Sequence, residues 1–436
     1  MNLYKEIKKV YSIGLKCFPI CRSITGDGNR ATLKIFKEKL RHLKIKEIKS
    51  GTKVFDWIIP PEWNIKDAYI IDKFNNKIVS FKNNNLHLVS YSKPIKTRLN
   101  KKKLLKKLYS LKNQPNAIPY MTSYYKKDWG FCITQNQKKK ISKFYKPKDM
   151  FKIIIKSKFK KNGSLTYGEL YIPGKSKKEI FISTYICHPS MANNELSGPM
   201  LAILIANYFS KKKNNFSIRL ILIPETIGSI AYLSKNLDKL KKNVIFGLNL
   251  SCVGDEREYS YLPTKYGNTL TDRAIIKNYK DLKINFKEYS FLERGSDERQ
   301  YNSPGVDLPV ASIMRSKYGT YPEYHTSLDN FDLVTEKGLL GSFKVVKSCI
   351  ELVMRNRIPI TTVICEPQLG RRNLYPKLAK KTNKVGKTRK IMDFIQYADG
   401  SNDLIQISNF INSSFKETCE IFKILKKKKL IKIKSF

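Results

Sequence analysis

The chain has 436 residues, 41% of them hydrophobic, which is long enough for two or three domains with ordinary apolar cores. No run of about 18 apolar residues occurs, which excludes a conventional membrane-spanning helix. Lysine and arginine number 84 and aspartate and glutamate 36, which gives a formal net charge of +48.

This positive charge has two interpretations. It would attract a polyanion, such as nucleic acid, an anionic membrane surface or an acidic glycan. The basic residues are mostly lysines spread along the whole chain and accompanied by Ile, Asn, Phe and Tyr, all with A+T-rich codons. That pattern favours compositional drift and argues against a nucleic-acid partner.

The eight cysteines form no CxxC pair and predict buried thiols in a reducing compartment. The N-terminal segment is charged and lacks the apolar stretch of a signal peptide. We therefore predict a cytoplasmic protein. The sequence leaves open whether it assembles into a homo-oligomer.

The first 130 residues fall into two regions with different sequence patterns. Residues 1–45 carry apolar residues at helical spacing, interrupted by the polar segment 21–28, which is either a substrate-facing loop or an ordinary connection between helices. Residues 50–130 contain short alternating strands and all three tryptophans. We predict an inserted, β-rich lid domain at 50–130, between two parts (1–49 and 131–358) of a larger domain.

Residues 150–355 alternate apolar strands with helical patterns, which is typical of a mostly parallel sheet covered on both faces. The predicted strands are Phe151–Ile155, Glu179–Ile186, Ile218–Ile223, Val244–Leu250 and Val310–Met314. The predicted helices include Pro199–Phe209, Ile227–Asn236 and Leu339–Val353. Ligands bind at the carboxyl ends of such strands, which places His188, Glu225 and the loop 251–255 around one crevice.

The tail predicts a winged-helix-like domain at 375–436, because three short helical segments precede the candidate β wing Leu430–Ile433. A DNA-binding regulator is one interpretation of this tail. The lysine run 426–429 gives it little support, since lysine runs occur throughout the chain.

Only four histidines occur, and two of them stand in the most unusual polar segments of the chain. His188 lies within Cys187–Gly198, directly after an apolar strand, and His325 lies within Tyr321–Ser327. Imidazole is the commonest neutral metal ligand and is well suited to proton transfer near neutral pH. The two segments therefore indicate an active site.

Several segments resemble the DUF4910 aminopeptidase-like family, whose relatives carry a DUF2172-type insert and a C-terminal winged-helix-like domain. The resemblance is carried by 22–28, 56–57, 61–63, 124–125, 129–132, 187–199, 224–229, 252–255, 295–301, 321–327 and 369–372. That family is similar in turn to M28-type zinc aminopeptidases. The resemblance implies an α/β fold: a mostly parallel-sheet, zinc-aminopeptidase-like core with a mainly β insert and a winged-helix-like C-terminal domain.

The resemblance also implies roles for residues. His188 and His325 take metal-ligand positions, and Glu225 takes that of the general base. Asn194 stands where a metal-bridging aspartate is expected. Thr226 and Ser251 replace two further carboxylates.

Three missing carboxylates disfavour a two-zinc site and favour one zinc ion held by two histidines and one carboxylate. The candidates for that carboxylate are Glu225, Glu195, Asp255 and Asp297. The candidates for substrate binding are Asp297, Glu298, Asp255 and Glu323. For Asp297 and Glu298 the alternative is a solvated loop, or ion pairing with Arg294 or Arg299.

Two functions follow from this assignment. The first is a zinc-dependent, aminopeptidase-like hydrolase that acts on an amide or peptide bond of a small substrate, with a link to polysaccharide biosynthesis. The second is a catalytically inactive binding protein with an aminopeptidase fold. Asn194 in place of a bridging aspartate favours the second.

Overall fold

The computed structural model describes residues 3–375 and 383–434. The α-helices in these residues are α1 (Leu3–Cys17), α2 (Asp27–Lys37), α3 (Lys101–Leu105), α4 (Gln135–Phe144), α5 (Ser197–Phe209), α6 (Ile227–Asn243), α7 (Leu270–Asp281), α8 (Glu298–Tyr301), α9 (Glu336–Arg355), α10 (Asn383–Gln396), α11 (Leu404–Phe410) and α12 (Phe415–Lys427). The strands are β1 (Lys44–Lys49), β2 (Lys53–Val54), β3 (Trp57–Ile58), β4 (Glu62–Ile71), β5 (Lys77–Ser80), β6 (Ile95–Asn100), β7 (Leu108–Tyr109), β8 (Phe131–Cys132), β9 (Met150–Lys160), β10 (Ser164–Ile172), β11 (Ser176–Tyr185), β12 (Phe216–Ile223), β13 (Val244–Leu250), β14 (Ser260–Leu262), β15 (Lys287–Glu288), β16 (Val310–Met314), β17 (Ile358–Thr361) and β18 (Ile431–Lys434).

The largest sheet is mixed and has the order β1-β10-β12-β11-β13-β16-β14-β15. Its centre is parallel: β11 pairs with both β12 and β13, and β13 pairs with β16. The outer strands β1, β10 and β14 join it in antiparallel pairs. The predicted α/β fold is confirmed, with its parallel part at the centre.

Helices cover both faces of this sheet. Helices α1, α5, α7 and α9 contribute to one core, while α6 packs with residues of the insert in a second core on the other side. Every residue of β12 is buried, since both faces of that strand are covered. Its one charged residue, Arg219, lies inside and donates hydrogen bonds to Glu179 and Glu169.

The prediction for Phe151–Ile155 was wrong in one respect. These residues form part of β9, but β9 belongs to a separate antiparallel sheet of order β5-β4-β9-β6. An apolar run predicts a buried strand without telling which sheet it joins, because the pairing partner is chosen by tertiary packing. Strand β9 continues beyond the predicted residues to Lys160, and its whole length belongs to this second sheet.

Helix α5 lies very close to the parallel strands at Gly198. A Cβ atom at this position would meet Thr184 Oγ1 at 2.3 Å and the carbonyl oxygen of Leu250 at 2.4 Å. We expect Gly198→Ala to lower the free energy of unfolding by about 1–3 kcal/mol, because the main chain of β13 cannot yield without distorting the sheet. Urea denaturation measures this loss. Gly370→Ala is the control, since a Cβ there meets nothing within 4 Å; equal effects of the two variants would refute the steric argument.

The tail packs onto the rest of the chain. Strand β18 pairs antiparallel with β17, which directly follows α9, and α11 and α12 contribute to the larger core. The predicted helices and wing of the tail correspond to α10, α11, α12 and β18. None of the described helices is long and apolar enough to cross a membrane.

Candidate active site

His188 follows β11 and lies between two carboxylates. Its Nδ1 is 2.8 Å from Glu195 Oε2, and its Nε2 is 3.7 Å from Glu225 Oε2. Burial alone would lower the pKa of His188, but the hydrogen bond to the negatively charged Glu195 carboxylate opposes this shift and raises that pKa. The Glu195 contact places a proton on Nδ1 and leaves Nε2 as the nitrogen that can bind a metal.

Arg22 lies behind Glu195 and is fully buried. Its Nε is 3.5 Å from Glu195 Oε1 and donates to the carbonyl oxygen of His188 at 3.1 Å. A second guanidinium nitrogen donates to the carbonyl oxygen of Cys17. The polar segment 21–28 thus contributes a buried cation to the site, and its Ile24 lines the adjacent cleft.

Cys187, His188 and Glu195 form a compact trio whose potential ligand atoms all lie within 4.8 Å of one another. Two observations favour a hydrogen-bonded cluster over a metal site for this trio. Nδ1 of His188 already faces Glu195, and the Arg22 guanidinium already supplies that carboxylate with positive charge. Burial also raises the pKa of Cys187 to about 11, which keeps the thiol protonated at neutral pH.

His325 approaches His188 from a distant part of the chain. The two rings have centroids 5.3 Å apart, and Tyr324 stacks on His325 at 3.9 Å. Burial, reinforced by the charge of His188, lowers the pKa of His325 to about 3, so its ring is neutral at physiological pH. Among the described residues, the buried Nε2 of His325 has no hydrogen-bond partner. A neutral imidazole with an unpaired nitrogen is suited to metal binding.

Glu225 follows β12 and faces His188. Burial raises its pKa, and the charges of His188 and Arg299 oppose this shift only in part. The next residue, Thr226, has a φ of 64°, and His325 has a φ of 56°. Left-handed backbone is costly for residues with a β-carbon and is concentrated at functional sites. Both sides of the site therefore carry backbone strain.

A cleft of about 330 Å³ joins these groups. Its lining combines His188, Glu225 and His325 with aromatic residues of the predicted insert. The full lining is Ile24, Trp57, Tyr120, Met121, Thr122, Tyr124, Tyr125, Cys187, His188, Glu225, Thr226, Ile227 and His325. The volume is at the lower end of the range for small-molecule sites.

A neutral network joins Asn194 and Ser251, two of the residues that the sequence analysis predicts in place of carboxylates. The Tyr185 hydroxyl donates to Asn194 Oδ1 at 3.1 Å and lies 2.6 Å from Ser251 Oγ. Asn194 is buried and, among the described residues, is not part of the cleft lining. The third position, Thr226, accepts a hydrogen bond from Arg299 through its hydroxyl. These groups offer no negative charge to a second cation.

Three of the residues predicted to bind substrate have protein partners for their carboxylates. Asp255 accepts from Asn193 Nδ2 and from the main-chain nitrogen and hydroxyl of Ser316. Glu323 forms a two-pronged ion pair with Arg257 at 2.8 Å. Glu298 accepts hydrogen bonds from Gly295, Ser296, Tyr318, Asn249 and Ser312.

Asp297 differs from these three. One of its oxygens accepts from the Thr226 main-chain nitrogen at 2.7 Å and from Ser229 Oγ at 2.8 Å. The other oxygen is buried and has no partner among the described residues. Burial, followed by the negative charge of Glu225, raises the pKa of Asp297 to about 8.

Three residues near the site were missed by sequence reasoning: Arg22 as a partner of Glu195, Asp329 and Tyr120. Asp329 accepts from the main-chain nitrogens of residues 192–194, which holds the turn leading into α5. Tyr120 packs against both imidazoles, with ring centroids 5.2 Å from each. The only signal in the sequence was their membership of polar or aromatic segments, because their partners in the site lie between 68 and 205 residues away.

The fold, in which His188 after β11 meets His325 from a later loop, is that of an aminopeptidase-like α/β protein. The chain belongs to the DUF4910 family, a domain of unknown function whose model matches residues 11–356, and a winged helix-turn-helix model matches residues 357–433.

Two matches from Clostridium acetobutylicum cover most of the chain. One, provisionally named a polysaccharide biosynthesis protein with an aminopeptidase-like domain, is 42% identical over 401 residues, which is 92% of this chain and 90% of the relative. The other is a crystal structure provisionally described as a peptidase. It is 39% identical, has a TM-score of 0.89, and the match covers 99% of this chain and 98% of that one.

More distant structures share the fold. A zinc aminopeptidase from Bacillus subtilis has a TM-score of 0.57 at 14% identity, covering 80% of this chain and 94% of that one. An M28 peptidase precursor from Shewanella amazonensis has a TM-score of 0.56 at 10% identity, covering 84% and 97%. At these identities the likeness concerns the fold alone.

Proposed function

We propose that the protein is a zinc-dependent, aminopeptidase-like hydrolase that cleaves an amide or peptide bond of a small substrate. One observation carries the proposal: His188, Glu225 and His325 line a single cleft, with Nε2 of His188 3.7 Å from Glu225 Oε2 and the two imidazole ring centroids 5.3 Å apart. The names of the Clostridium relatives support a peptidase-like activity and suggest substrates connected with polysaccharide assembly.

His188 and His325 would hold the ion. Both line the cleft with ring centroids 5.3 Å apart, and because the pKa of His188 is raised, metal binding would displace a proton from its ring. The neutral network at Asn194 and Ser251 supports one ion, since a second would lack carboxylate ligands. A bound zinc ion would polarise the scissile carbonyl group and favour deprotonation of water.

Four carboxylates are candidates for binding the metal. In the part of the chain that the structure describes, only Glu225 among them lines the cleft. Glu195 faces the opposite nitrogen of His188 and pairs with Arg22, and Asp255 is saturated with donors. We assign Glu225 as the general base, because its raised pKa brings it closer to neutral pH, where proton acceptance and release are both favourable. Asp297 would stabilise the Thr226 turn beside it.

Zinc content and hydrolysis together test the proposal. We expect the purified full chain to bind about one equivalent of zinc and to hydrolyse at least one member of a panel of aminoacyl para-nitroanilides at neutral pH. His325→Ala should abolish both properties, whereas His42→Ala, at an exposed histidine, should abolish neither. A protein that binds no zinc and stays inactive after zinc is added would refute the proposal.

A binding protein without catalysis is the second candidate, and the Tyr185–Asn194–Ser251 network favours it. Asn194→Asp tests the premise of this second candidate, that the network replaces a metal ligand. If Asn194 stands at a degenerate metal position, the new carboxylate should raise zinc affinity. Without zinc it should lower the free energy of unfolding by roughly 1–3 kcal/mol, because a buried charge gains few donors there.

Calorimetric titration with zinc and urea denaturation measure these two effects. Asn409→Asp, at an exposed position, is the control. Unchanged zinc affinity in Asn194→Asp would show that residue 194 is not at a metal position.

A further inference from the structure

The segment 117–125 of the predicted insert is tied to the loop that carries His325. The main-chain nitrogen of Tyr120 donates to the carbonyl oxygen of His325 at 2.8 Å, and that of Ser327 donates to the carbonyl oxygen of Ile118 at 2.9 Å. On its other side, the segment exchanges two main-chain hydrogen bonds with Ser90. Tyr120 is therefore held in a fixed position relative to His325.

The side chain of Tyr120 reaches the centre of the site. Its ring centroid is 5.2 Å from those of both His188 and His325. Its hydroxyl lies 2.9 Å from the hydroxyl of Tyr124, and both tyrosines line the cleft. In such a pair one hydroxyl donates a hydrogen bond to the other and thereby orients it. The second hydroxyl can still donate a hydrogen bond to a third group.

The charge balance of the site shows what such a donor would do. Amide hydrolysis places negative charge on the former carbonyl oxygen, and two-metal enzymes stabilise it with a second cation. Here the second position holds the neutral Tyr185–Asn194–Ser251 network. A preorganised hydrogen-bond donor is the common alternative to a cation. Burial raises the pKa of Tyr120 well above its usual range, so its hydroxyl keeps its proton.

We propose that Tyr120 is a catalytic residue whose hydroxyl donates a hydrogen bond to the carbonyl oxygen of the scissile amide as negative charge develops there. Tyr124 is the positioning residue that orients this hydroxyl. The hydrogen bond strengthens along the reaction, and no proton is transferred from Tyr120. The inference rests on the proposed hydrolase function and adds to it a group supplied by the inserted segment.

Tyr120→Phe tests the inference, with Tyr124→Phe as the partner variant and Tyr69→Phe as the matched control. Tyr69 lies on β4, at the distant insert sheet, and also loses only a hydroxyl. Each full-length variant is assayed for zinc content, for kcat and KM on the best para-nitroanilide, and for calorimetric affinity for two probes. The probes are 1-amino-3-methylbutylphosphonic acid, which mimics the tetrahedral state, and leucine, which mimics the product.

We expect Tyr120→Phe to lower kcat by on the order of 10²-fold with little change in KM, since the lost contact forms only in the transition state. Affinity for the phosphonic acid should fall while that for leucine stays close to wild type. Tyr124→Phe should show a smaller, several-fold loss of kcat. All three variants should keep their zinc.

Two results would overturn the inference. One is a kcat of Tyr120→Phe within about twofold of wild type, and the other is a loss of activity that follows a loss of zinc, which would make Tyr120 a packing residue for the imidazoles. In both cases an active, zinc-containing wild type leaves the hydrolase function intact. If the wild type neither binds zinc nor hydrolyses any substrate, the hydrolase function itself fails, and the inference fails with it.

Discussion

Replacing Glu225 by glutamine is expected to lower kcat by roughly 10²–10⁴-fold, the range for removal of a general base. Glutamine keeps the size of the side chain and one carbonyl oxygen, but it cannot accept a proton at neutral pH. Steady-state kinetics on the best para-nitroanilide measure the loss. We expect zinc to be retained, because His188 and His325 are unchanged.

The zinc content of Glu225→Gln separates two roles for this carboxylate. A loss of zinc that accounts for the loss of activity would show that Glu225 is a ligand. A kcat close to wild type would remove it from the chemistry altogether. Glu420→Gln, at an exposed position of α12, is the control and should change neither property.

Replacing Arg22 by methionine is expected to lower the free energy of unfolding by about 3–5 kcal/mol, the cost of breaking a buried ion pair from one side. The change leaves the fully buried Glu195 without its guanidinium, and the carbonyl oxygens of Cys17 and His188 lose a donor. Urea denaturation measures the effect. Arg41→Met, at an exposed arginine, should stay within about 0.5 kcal/mol of wild type.

A double variant tests whether the loss comes from the ion pair. Glu195→Gln removes the charge that Arg22→Met leaves unpaired, so the double variant should be less destabilised than the sum of the two single changes. Strict additivity would mean that Arg22 acts through packing and its main-chain contacts. The orientation of His188 by Glu195 would then need another explanation.

Much of the fold was predictable because the signal was local. The strands β11, β12, β13 and β16 are mostly apolar runs of ordinary length, and the predicted helices begin within three residues of α5, α6 and α9. Helix α6 continues to Asn243, seven residues beyond the predicted end. Strand β9 carries the same signal but pairs with β4 and β6. Its sheet is set by partners 50 to 100 residues earlier in the chain, which no local pattern encodes.

The contrast between local sequence signals and partners far along the chain also applies to the site. The proximity of His188 and Glu225 was predictable because each follows a parallel strand, where the geometry of the sheet itself brings side chains together. Arg22 and Tyr120 were missed as members of the site because loops position them, through contacts to residues far along the chain. Glu298 was predicted to bind substrate, but its carboxylate is saturated by neighbours that the sequence does not mark.

The hydrogen bonds between residues 118–120 and the His325 loop have a consequence for access to the cleft. A hinged cover that swung away would have to break these bonds and separate Tyr120 from both imidazoles. These bonds favour a fixed wall over a hinged cover, so the proposed hydrolase would select its substrates by the shape of a permanent entrance. For the proposed hydrolase, a new substrate preference would evolve through changes in that wall, leaving the strand ends before His188 and Glu225 untouched.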